Sequence, residues 1–362
     1  MNKMGFGFLR LPHTSSGTLD MDLLNQMVDA FLERGGTYFD TAYTYLGGQS
    51  EIALREAVVK RHPRDRFQIA DKLPSWMVHS TKDCQRYFHE QRERCGVDFF
   101  DVYLLHWLNQ KNYEVCERYD EFAFLRGLKA QGKVGKIGFS YHDSAALLDE
   151  ILTAHPETEI VQLQLNYADW DSAAIEGRKC YDTAVRHGKS VVVMEPVKGG
   201  TLAKLPQKAE DLLKAHRPDS PARWALRFVH SLPQANIILS GMSNLEQVLE
   251  NMEDIAPLSG SEQDLITRVA EIIEETTFIA CTGCRYCTAD CPRNIPVPDF
   301  FAMYNACRRN PQENWKIQPV YQRTAADQAK ASECIQCGQC ESHCPQRLSI
   351  ISYLKQVADM FE

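Results

Sequence analysis

Eight cysteines in the C-terminal part of the chain have a spacing that suits metal binding. They form two groups, each with the pattern Cys-x2-Cys-x2-Cys-x3-Cys-Pro. The first group is Cys281, Cys284, Cys287 and Cys291, and the second is Cys334, Cys337, Cys340 and Cys344. Three thiolates spaced in this way can bind one face of an iron–sulfur cube. A pair of zinc knuckles is the alternative, but it explains neither the third cysteine nor the proline of each group.

The two groups together resemble the two-cluster bacterial ferredoxins. On that precedent the fourth cysteine of each group binds the other cluster, so Cys291 completes the second cluster and Cys344 the first. The long spacer contains helix-like stretches such as VPDFFAMYNACRR, which resembles the α-helical ferredoxin modules of multisubunit redox enzymes. The resemblance implies two [4Fe-4S] clusters. The other cysteines lack ligand spacing and are expected to be small buried side chains: Cys84, Cys95, Cys116, Cys180 and Cys307.

Four residues further upstream could carry out acid–base chemistry on a carbonyl group. Asp40 and Tyr45 lie in FDTAYTY, Lys72 in IADKLP and His106 in YLLHW. When a hydride reduces a carbonyl, the oxygen needs a proton, and a tyrosine beside an ammonium can give it. Lys72 would stabilise the phenolate, Asp40 would hold the lysine, and His106 would orient the carbonyl. Taken singly, each has an ordinary explanation as a helix cap, a solvated lysine or a core histidine.

The surrounding sequence predicts the elements that would bring these residues together. Up to about residue 256, runs rich in β-branched and aromatic residues alternate with stretches of helical periodicity. The strand candidates are GFGFLRL, TYFDTA, FQIADKL, FDVYLLH, KIGFS, IVQLQLN, SVVVMEP and NIILSGM. Eight such units, with no Gly-x-Gly-x-x-Gly after the first strand, predict a (β/α)8 TIM barrel rather than a doubly wound sheet. We therefore expect a barrel in residues 1–278 and a small ferredoxin-like domain in residues 279–362.

The segments FDTAYTY, IADKL and DVYLLHW resemble the aldo-keto reductase family, whose catalytic residues are Asp, Tyr, Lys and His. The resemblance implies NADP(H) or NAD(H) as cofactor and a small carbonyl or alcohol as substrate. Ser140 falls where the family contacts the nicotinamide carboxamide, and Gln162 falls on a further cofactor position. Tyr141 stands where the family usually has an asparagine that contacts the carboxamide. Trp107, beside His106, fits either a pocket wall or the core.

Two later segments also resemble cofactor-binding parts of that family. MEPVKGGTL is similar to its pyrophosphate loop, which implies contacts from Val197, Lys198, Gly199 and Leu202. Glu195 in this loop either caps it or faces the cofactor or substrate. SGMSNLEQVLEN is similar to its adenosine-binding segment, which implies contacts from Gly241, Ser243, Gln247, Glu250 and Asn251. NADP-preferring members have a lysine and an arginine at the places of Gly241 and Gln247, so NADH use or a relaxed preference is expected.

Overall composition excludes some classes of partner. With 40 Lys and Arg against 48 Asp and Glu, the net charge is −8, which does not suggest a basic surface for nucleic acid. There is no run of about 18 apolar residues and no export signal. A cytoplasmic protein without membrane insertion is expected.

The sequence allows three ways in which the two parts could work together. Nicotinamide donates two electrons as a hydride, whereas a [4Fe-4S] cluster takes one at a time. In the first hypothesis the barrel is a carbonyl or alcohol oxidoreductase, and the clusters serve structure, sensing or an electron-carrier protein. In the second, the chain is an electron-transfer component that uses a flavin or a redox partner subunit. A third, a barrel that only senses the cofactor, is disfavoured because Tyr45 and Lys72 are both present.

Overall fold

The computed structural model describes residues 3–309 and 311–362, and this part of the chain forms two compact units. The first, here called the barrel unit, runs to Ser172 and includes Glu176–Val197 and Ala222–Gln263. The second, the cluster unit, consists of Ala173–Ile175, Lys198–Pro221 and Asp264–Glu362. In the described residues no helix is both long and apolar enough to cross a membrane.

Eight parallel strands form a closed barrel in sequence order. The strands are β1 Met4–Gly7, β2 Tyr38–Asp40, β3 Gln68–Pro74, β4 Phe100–Leu108, β5 Val134–Tyr141, β6 Ile160–Gln164, β7 Ser190–Met194 and β8 Ala235–Ser240. The barrel closes where β8 pairs with β1, with Met4 opposite Ile238. Each strand lies within or overlaps one of the eight predicted segments, and the predicted (β/α)8 barrel is confirmed.

Helices connect the strands and make up most of the cluster unit. They are α1 Met21–Glu33, α2 Gln49–Leu54, α3 Thr81–Cys95, α4 Gln110–Arg118, α5 Glu121–Ala130, α6 Ala145–Ala154, α7 Gly177–Arg186, α8 Gln207–His216, α9 Pro221–His230, α10 Leu245–Asn251, α11 Gly260–Thr276, α12 Tyr286–Ala289, α13 Val297–Arg309, α14 Asn314–Asp327, α15 Gln339–Ser342 and α16 Ile350–Phe361. Helix α1 shows why they form: Asp20 caps it by accepting a hydrogen bond from Leu23 N–H at 3.0 Å. Its residues Leu24, Val28 and Phe31 recur at helical spacing and are buried.

Side-chain alternation along the strands determines which residues point into the barrel. Tyr38, Ala70 and Leu104 belong to the small apolar cluster inside the barrel. Residues two positions apart on a strand share a face, so Asp40, Lys72 and His106 point the same way as these three. Each of the three stands at or near the C-terminal end of its strand. The period of two therefore places three polar side chains on top of an apolar interior layer.

In the cluster unit, helices α13, α14 and α16 pack around their own apolar core. Phe300, Phe301, Tyr321, Leu354 and Val357 are buried there. Six of the eight clustered cysteines belong to this core or pack against it: Cys281, Cys287, Cys291, Cys334, Cys340 and Cys344. The expected C-terminal helical region is confirmed.

One glycine is required by the close approach of two strands. Gly138 on β5 lies opposite Ile160 on β6. A Cβ atom at Gly138 would lie 1.9 Å from the Ile160 carbonyl oxygen, a distance that only a shift of the backbone could relieve.

We predict that Gly138→Ala destabilises the barrel by about 2 kcal/mol or more. The new methyl group would clash with the backbone of Ile160, which cannot move aside as a flexible side chain could. Gly127→Ala is the matched control, since Gly127 lies inside α5 and its Cβ would meet open space. That change should stabilise the protein by up to about 1 kcal/mol through helix propensity. Thermal unfolding followed by circular dichroism gives both values. A Gly138→Ala protein as stable as the parent would contradict the prediction.

Candidate active site and cluster-binding residues

The side chain of Lys72 is the centre of a buried polar group inside the top of the barrel. Its Nζ donates to Asp40 Oδ1 at 2.7 Å and to the carbonyl oxygen of Thr41 at 2.7 Å. The third neighbour is the hydroxyl oxygen of Tyr45, at 3.5 Å from Nζ. Lys72 is fully buried, so these oxygens replace the water that an ammonium normally binds. The structure thus brings the predicted lysine, aspartate and tyrosine into contact.

A tight turn after β2 returns Tyr45 to the barrel. Tyr45 begins a turn that runs to Gly48, in which Leu46, Gly47 and Gly48 all have positive φ angles. Glycine adopts such angles without strain, which explains the Gly-Gly pair. The Tyr45 ring lies edge-on to the imidazole of His106, with 5.7 Å between ring centroids. All four predicted catalytic residues therefore meet at one place.

Burial and charge set the protonation of this group. Burial raises the pKa of Asp40, while the adjacent Lys72 ammonium and its hydrogen bond lower it. Burial holds the pKa of His106 well below its usual value, and the positive charge of Lys72 acts in the same direction. His106 is 4% exposed, and its Nδ1 has no hydrogen-bond partner among the described residues. The imidazole is therefore neutral near pH 7.

Two tryptophans form an aromatic wall beside His106. Trp76 lies in the turn after β3, with its ring 5.2 Å from His106 and 5.0 Å from Trp107. His142 also lies beside Trp107, at 6.2 Å between ring centroids. Trp107 was expected as a wall or core residue, and it is buried in this wall. Trp76 was not expected; its place four residues after Lys72 is the only signal in the sequence.

Ser140 and Gln162 are neighbours across two strands. They stand opposite each other on β5 and β6. Both are buried, and Ser140 Oγ and Gln162 Oε1 have no hydrogen-bond partner in the part of the chain that the structure describes. Buried polar atoms usually have partners, so this pair is suited to a ligand that offers both a donor and an acceptor. A carboxamide, as in nicotinamide, fits that requirement.

The residues expected at the pyrophosphate loop fall into both units. Glu195 and Val197 belong to the barrel unit, where Asn166 Nδ2 donates to the Glu195 carbonyl oxygen at 3.2 Å. Lys198, Gly199 and Leu202 lie in a turn of the cluster unit, Lys198–Ala203. Glu195 has a positive φ of 56°, an unusual angle for a glutamate. A role for these residues in binding stays a prediction.

The adenosine-type segment lies at the end of β8 and in α10. Ser243 N–H donates to Gln247 Oε1 at 2.8 Å, and Asn251 Nδ2 donates to Ser240 Oγ at 3.0 Å. Gly241 and Glu250 lie in the same stretch.

A basic residue that the sequence did not suggest lies beside this segment. The aliphatic stem of Arg10 packs 3.2 to 3.3 Å from the position of a Cβ on Gly241, and Ser243 Oγ donates to the Arg10 carbonyl oxygen at 3.0 Å. Arg10 follows β1 and reaches Gly241 only because β1 closes on β8. Nothing near Gly241 in the sequence could have indicated it.

The eight clustered cysteines line two cavities in the cluster unit. One is lined by Cys281, Cys284, Cys287 and Cys344, and the other by Cys334, Cys337, Cys340 and Cys291. Each cavity thus collects three thiols of one group and the fourth thiol of the other, which is the grouping expected for the two-cluster pattern. Apolar side chains contribute to both linings, among them Phe301 in the first and Leu354 in the second, and so do polar ones such as Arg285 and Arg293. Four thiols around one cavity fit an iron–sulfur cluster, and ligation by these cysteines stays a prediction.

The five remaining cysteines are all buried and lie outside these cavities, as expected: Cys84, Cys95, Cys116, Cys180 and Cys307.

Comparisons with known proteins match each part of the chain to a family. Residues 3–271 match a family model described as Aldo/keto reductase family, and residues 280–349 match one described as 4Fe-4S dicluster domain. A relative named probable aldo-keto reductase 1, from Glycine max, is 26% identical over 322 residues, which are 79% of this chain and 88% of the relative. An aldo-keto reductase from Mycolicibacterium smegmatis is 26% identical over 251 residues, 68% of this chain and 82% of that protein.

Known structures share the barrel. An aldo-keto reductase from Bacillus halodurans in its holo form superposes with a TM-score of 0.58 and 21% identity, covering 74% of this chain and 91% of that chain. An aldo/keto reductase from Klebsiella pneumoniae in complex with NADP and acetate gives a TM-score of 0.58 and 20% identity, with coverage of 74% and 91%. At these identities the likeness concerns the fold. The family model nevertheless covers most of the chain, and the chain therefore belongs to the aldo/keto reductase family, with a 4Fe-4S dicluster domain in its C-terminal region.

Proposed function

We propose that the barrel transfers a hydride between a nicotinamide cofactor and a small carbonyl or alcohol substrate. The observation that carries this proposal is the buried chain of contacts from Asp40 through Lys72 to Tyr45. A bound nicotinamide would supply the hydride. The protein would supply the proton and a site for the substrate oxygen.

Each side chain has one part in the proposed reaction. The Tyr45 hydroxyl donates a proton to the substrate oxygen, and the Lys72 ammonium 3.5 Å away stabilises the phenolate that remains. Asp40 balances the charge of the buried lysine. His106, as a neutral imidazole beside Tyr45, forms a hydrogen bond with the same oxygen and orients it. Trp76 and Trp107 exclude water on that side.

For the cofactor, we propose that Ser140 and Gln162 bind the carboxamide, because their buried polar atoms have the matching donor and acceptor. Val197, Lys198, Gly199 and Leu202 would bind the pyrophosphate, as the resemblance implies. The adenosine segment has Gly241 and Gln247 where NADP-preferring members have a lysine and an arginine, and Arg10 packs beside Gly241. We therefore expect a relaxed preference between NADPH and NADH.

For the rest of the chain, we propose a ferredoxin-like domain in residues 279–362 after a barrel in residues 1–278, with two [4Fe-4S] clusters bound by the eight cysteines. Cys337 is exposed, and its neighbour Ile335 is 55% exposed. A cluster ligand at the surface supports electron exchange with a carrier protein over a purely structural role. The alternative is an electron-transfer component in which a flavin or a partner subunit separates the electron pairs.

We predict that Tyr45→Phe lowers kcat/KM for carbonyl reduction at least about a hundredfold, because it removes the proton donor. Affinity for the nicotinamide should change less than about twofold. Turnover is followed by nicotinamide absorbance with a panel of aldehydes and ketones, and affinity by fluorescence titration. Tyr43→Phe is the control, since its hydroxyl donates to Glu90 away from Lys72. An equal loss of turnover and affinity, or a parent enzyme inactive on every carbonyl, would count against the proposal.

We predict that the His106 imidazole is neutral at about pH 6.5, where a free imidazole is half protonated, because burial holds its pKa well below the ordinary value. The unfolded chain accepts a proton there below about pH 6.5, so this side chain lowers the free energy of unfolding as the pH falls through that value. Nitrogen-15 NMR of histidine-labelled protein, assigned with His106→Gln, gives its protonation state. A titration of His106 centred near pH 6.5 would show that the ring is solvated and charged.

We predict about eight irons per chain after anaerobic purification, and about four fewer in Cys344→Ala. Cys307→Ala is the control, since this buried thiol donates to Asn314 and lines neither cavity. Zinc in place of iron would contradict the cluster assignment, and so would an unchanged iron content in Cys344→Ala.

The same samples distinguish the two roles of the clusters. Electron paramagnetic resonance before and after adding NADPH or NADH shows whether the clusters become reduced. Reduction supports electron flow between nicotinamide and clusters. Oxidised clusters in an enzyme that still reduces carbonyls support a barrel that works alone.

A further inference from the structure

The backbone of Lys72 lies beyond the end of the neighbouring strand. Strand β2 ends at Asp40, and Thr41 N–H makes the last bond to β3, to the Ala70 carbonyl oxygen at 3.0 Å. In a regular parallel ladder the next hydrogen bond would run from Lys72 N–H to the Thr41 carbonyl oxygen. That oxygen instead accepts from Lys72 Nζ at 2.7 Å. The Lys72 N–H and C=O groups therefore need other partners.

Two buried side chains outside the barrel wall supply them. Lys72 N–H donates to Asp71 Oδ1 at 2.8 Å, and Gln91 Nε2 on α3 donates to the Lys72 carbonyl oxygen at 3.0 Å. Gln91 Nε2 also donates to Asp71 Oδ1 at 2.7 Å, and Gln91 Oε1 accepts from the Tyr103 hydroxyl at 2.6 Å. Asp71, Gln91 and Tyr103 are each 0% exposed. We call these three residues the Lys72 clamp.

The charge of the Lys72 clamp is set by a second carboxyl group. The side chains of Glu51, Asp71 and Cys95 lie within 4.8 Å of one another. Two buried carboxylates so close do not both ionise. Arg94 Nη1 donates to Glu51 Oε2 at 3.0 Å and so favours the charge on Glu51. Burial, with Glu51 adding to it, raises the pKa of Asp71 well above its usual value.

A proton on Asp71 also explains an otherwise orphaned atom. Glu51 Oε1 is buried, and apart from Asp71 it has no hydrogen-bond partner in the described residues. A protonated Asp71 can donate to it. Asp71 Oδ1 remains an acceptor for both Lys72 N–H and Gln91.

We propose that Asp71 and Gln91 are positioning residues for Lys72: they fix its peptide groups where β2 has ended, and thereby hold its ammonium between Asp40 and Tyr45. Asp71 acts in this as a neutral acid. The inference rests on the proposed hydride transfer for its effect on turnover. The clamp itself can be tested without turnover.

The first test is hydrogen–deuterium exchange of the complete protein, read at the Lys72 amide. Asp71→Leu removes the acceptor of Lys72 N–H, and Gln91→Leu removes the amide that holds this acceptor in place. Each change should speed the exchange at least about tenfold. Asp101→Leu is the matched control. Asp101 Oδ2 accepts from Ile69 N–H at 2.8 Å on the same strand, so its loss should affect Ile69 and spare Lys72. Unchanged exchange at Lys72 in both clamp variants overturns the proposal.

The second test is turnover with nicotinamide and an aldehyde. Gln91→Leu should lower kcat at least about tenfold with KM changed less than about twofold, and should move the kcat pH profile by about half a unit or more. Asp71→Asn should stay within about threefold of the parent with an unchanged profile, since an amide matches a neutral acid. A parental kcat and profile in Gln91→Leu, or an equal effect of Asp101→Leu, overturns the positioning role.

Three further outcomes are separated by design. If Asp71→Asn is as impaired as Asp71→Leu, a neutral Asp71 is wrong. If Gln91→Leu does not fold, Tyr103→Phe, which removes only the hydroxyl that Gln91 Oε1 binds, is measured in both tests with the same expected direction. If the parent reduces no carbonyl, the proposed function fails, and the exchange result alone then supports or overturns the clamp.

Discussion

The upper end of this barrel depends on how one positive charge is kept out of water. The Lys72 ammonium is fully buried, and such a charge is stable only when oxygens surround it. One of these oxygens is the carbonyl of Thr41, which is available because β2 stops at Asp40. A longer β2 would use that carbonyl in the ladder. The solvation of a single side chain is therefore linked to the length of a neighbouring strand.

Strand β3 has a polar side chain on each face at the same height. Lys72 points into the barrel, and Asp71 points toward α3 on the outside. A shift of the strand by one residue would exchange them, placing a carboxyl group inside and a lysine against the helices. The interior site offers oxygens that suit an ammonium group, and the site at α3 offers an amide donor that suits a carboxyl group. The pair thus opposes register errors that an all-apolar strand would tolerate.

Much of this arrangement could be predicted from the sequence. The eight strands have clear β-branched and aromatic runs, and Asp40, Lys72 and His106 come together because parallel strand ends converge. Trp76 and Arg10 could not be foreseen, since their contacts arise from a turn conformation and from barrel closure. In the sequence, nothing distinguishes Asp71 from an ordinary acidic residue of a strand. Its partner Gln91 lies on a helix 20 residues later, and only packing brings the two together.

The interleaved cysteines have a consequence for the order of events in the cell. The first cavity contains three thiols from residues 281–287 and a fourth from Cys344. The second contains Cys291 together with three thiols from the later group. During synthesis on the ribosome, neither set of four is complete until almost all of this sequence has emerged. If these cysteines bind the clusters as proposed, neither cavity can gain its full set of ligands before the second group of cysteines has been made, and a chain truncated before Cys334 would have neither set of four.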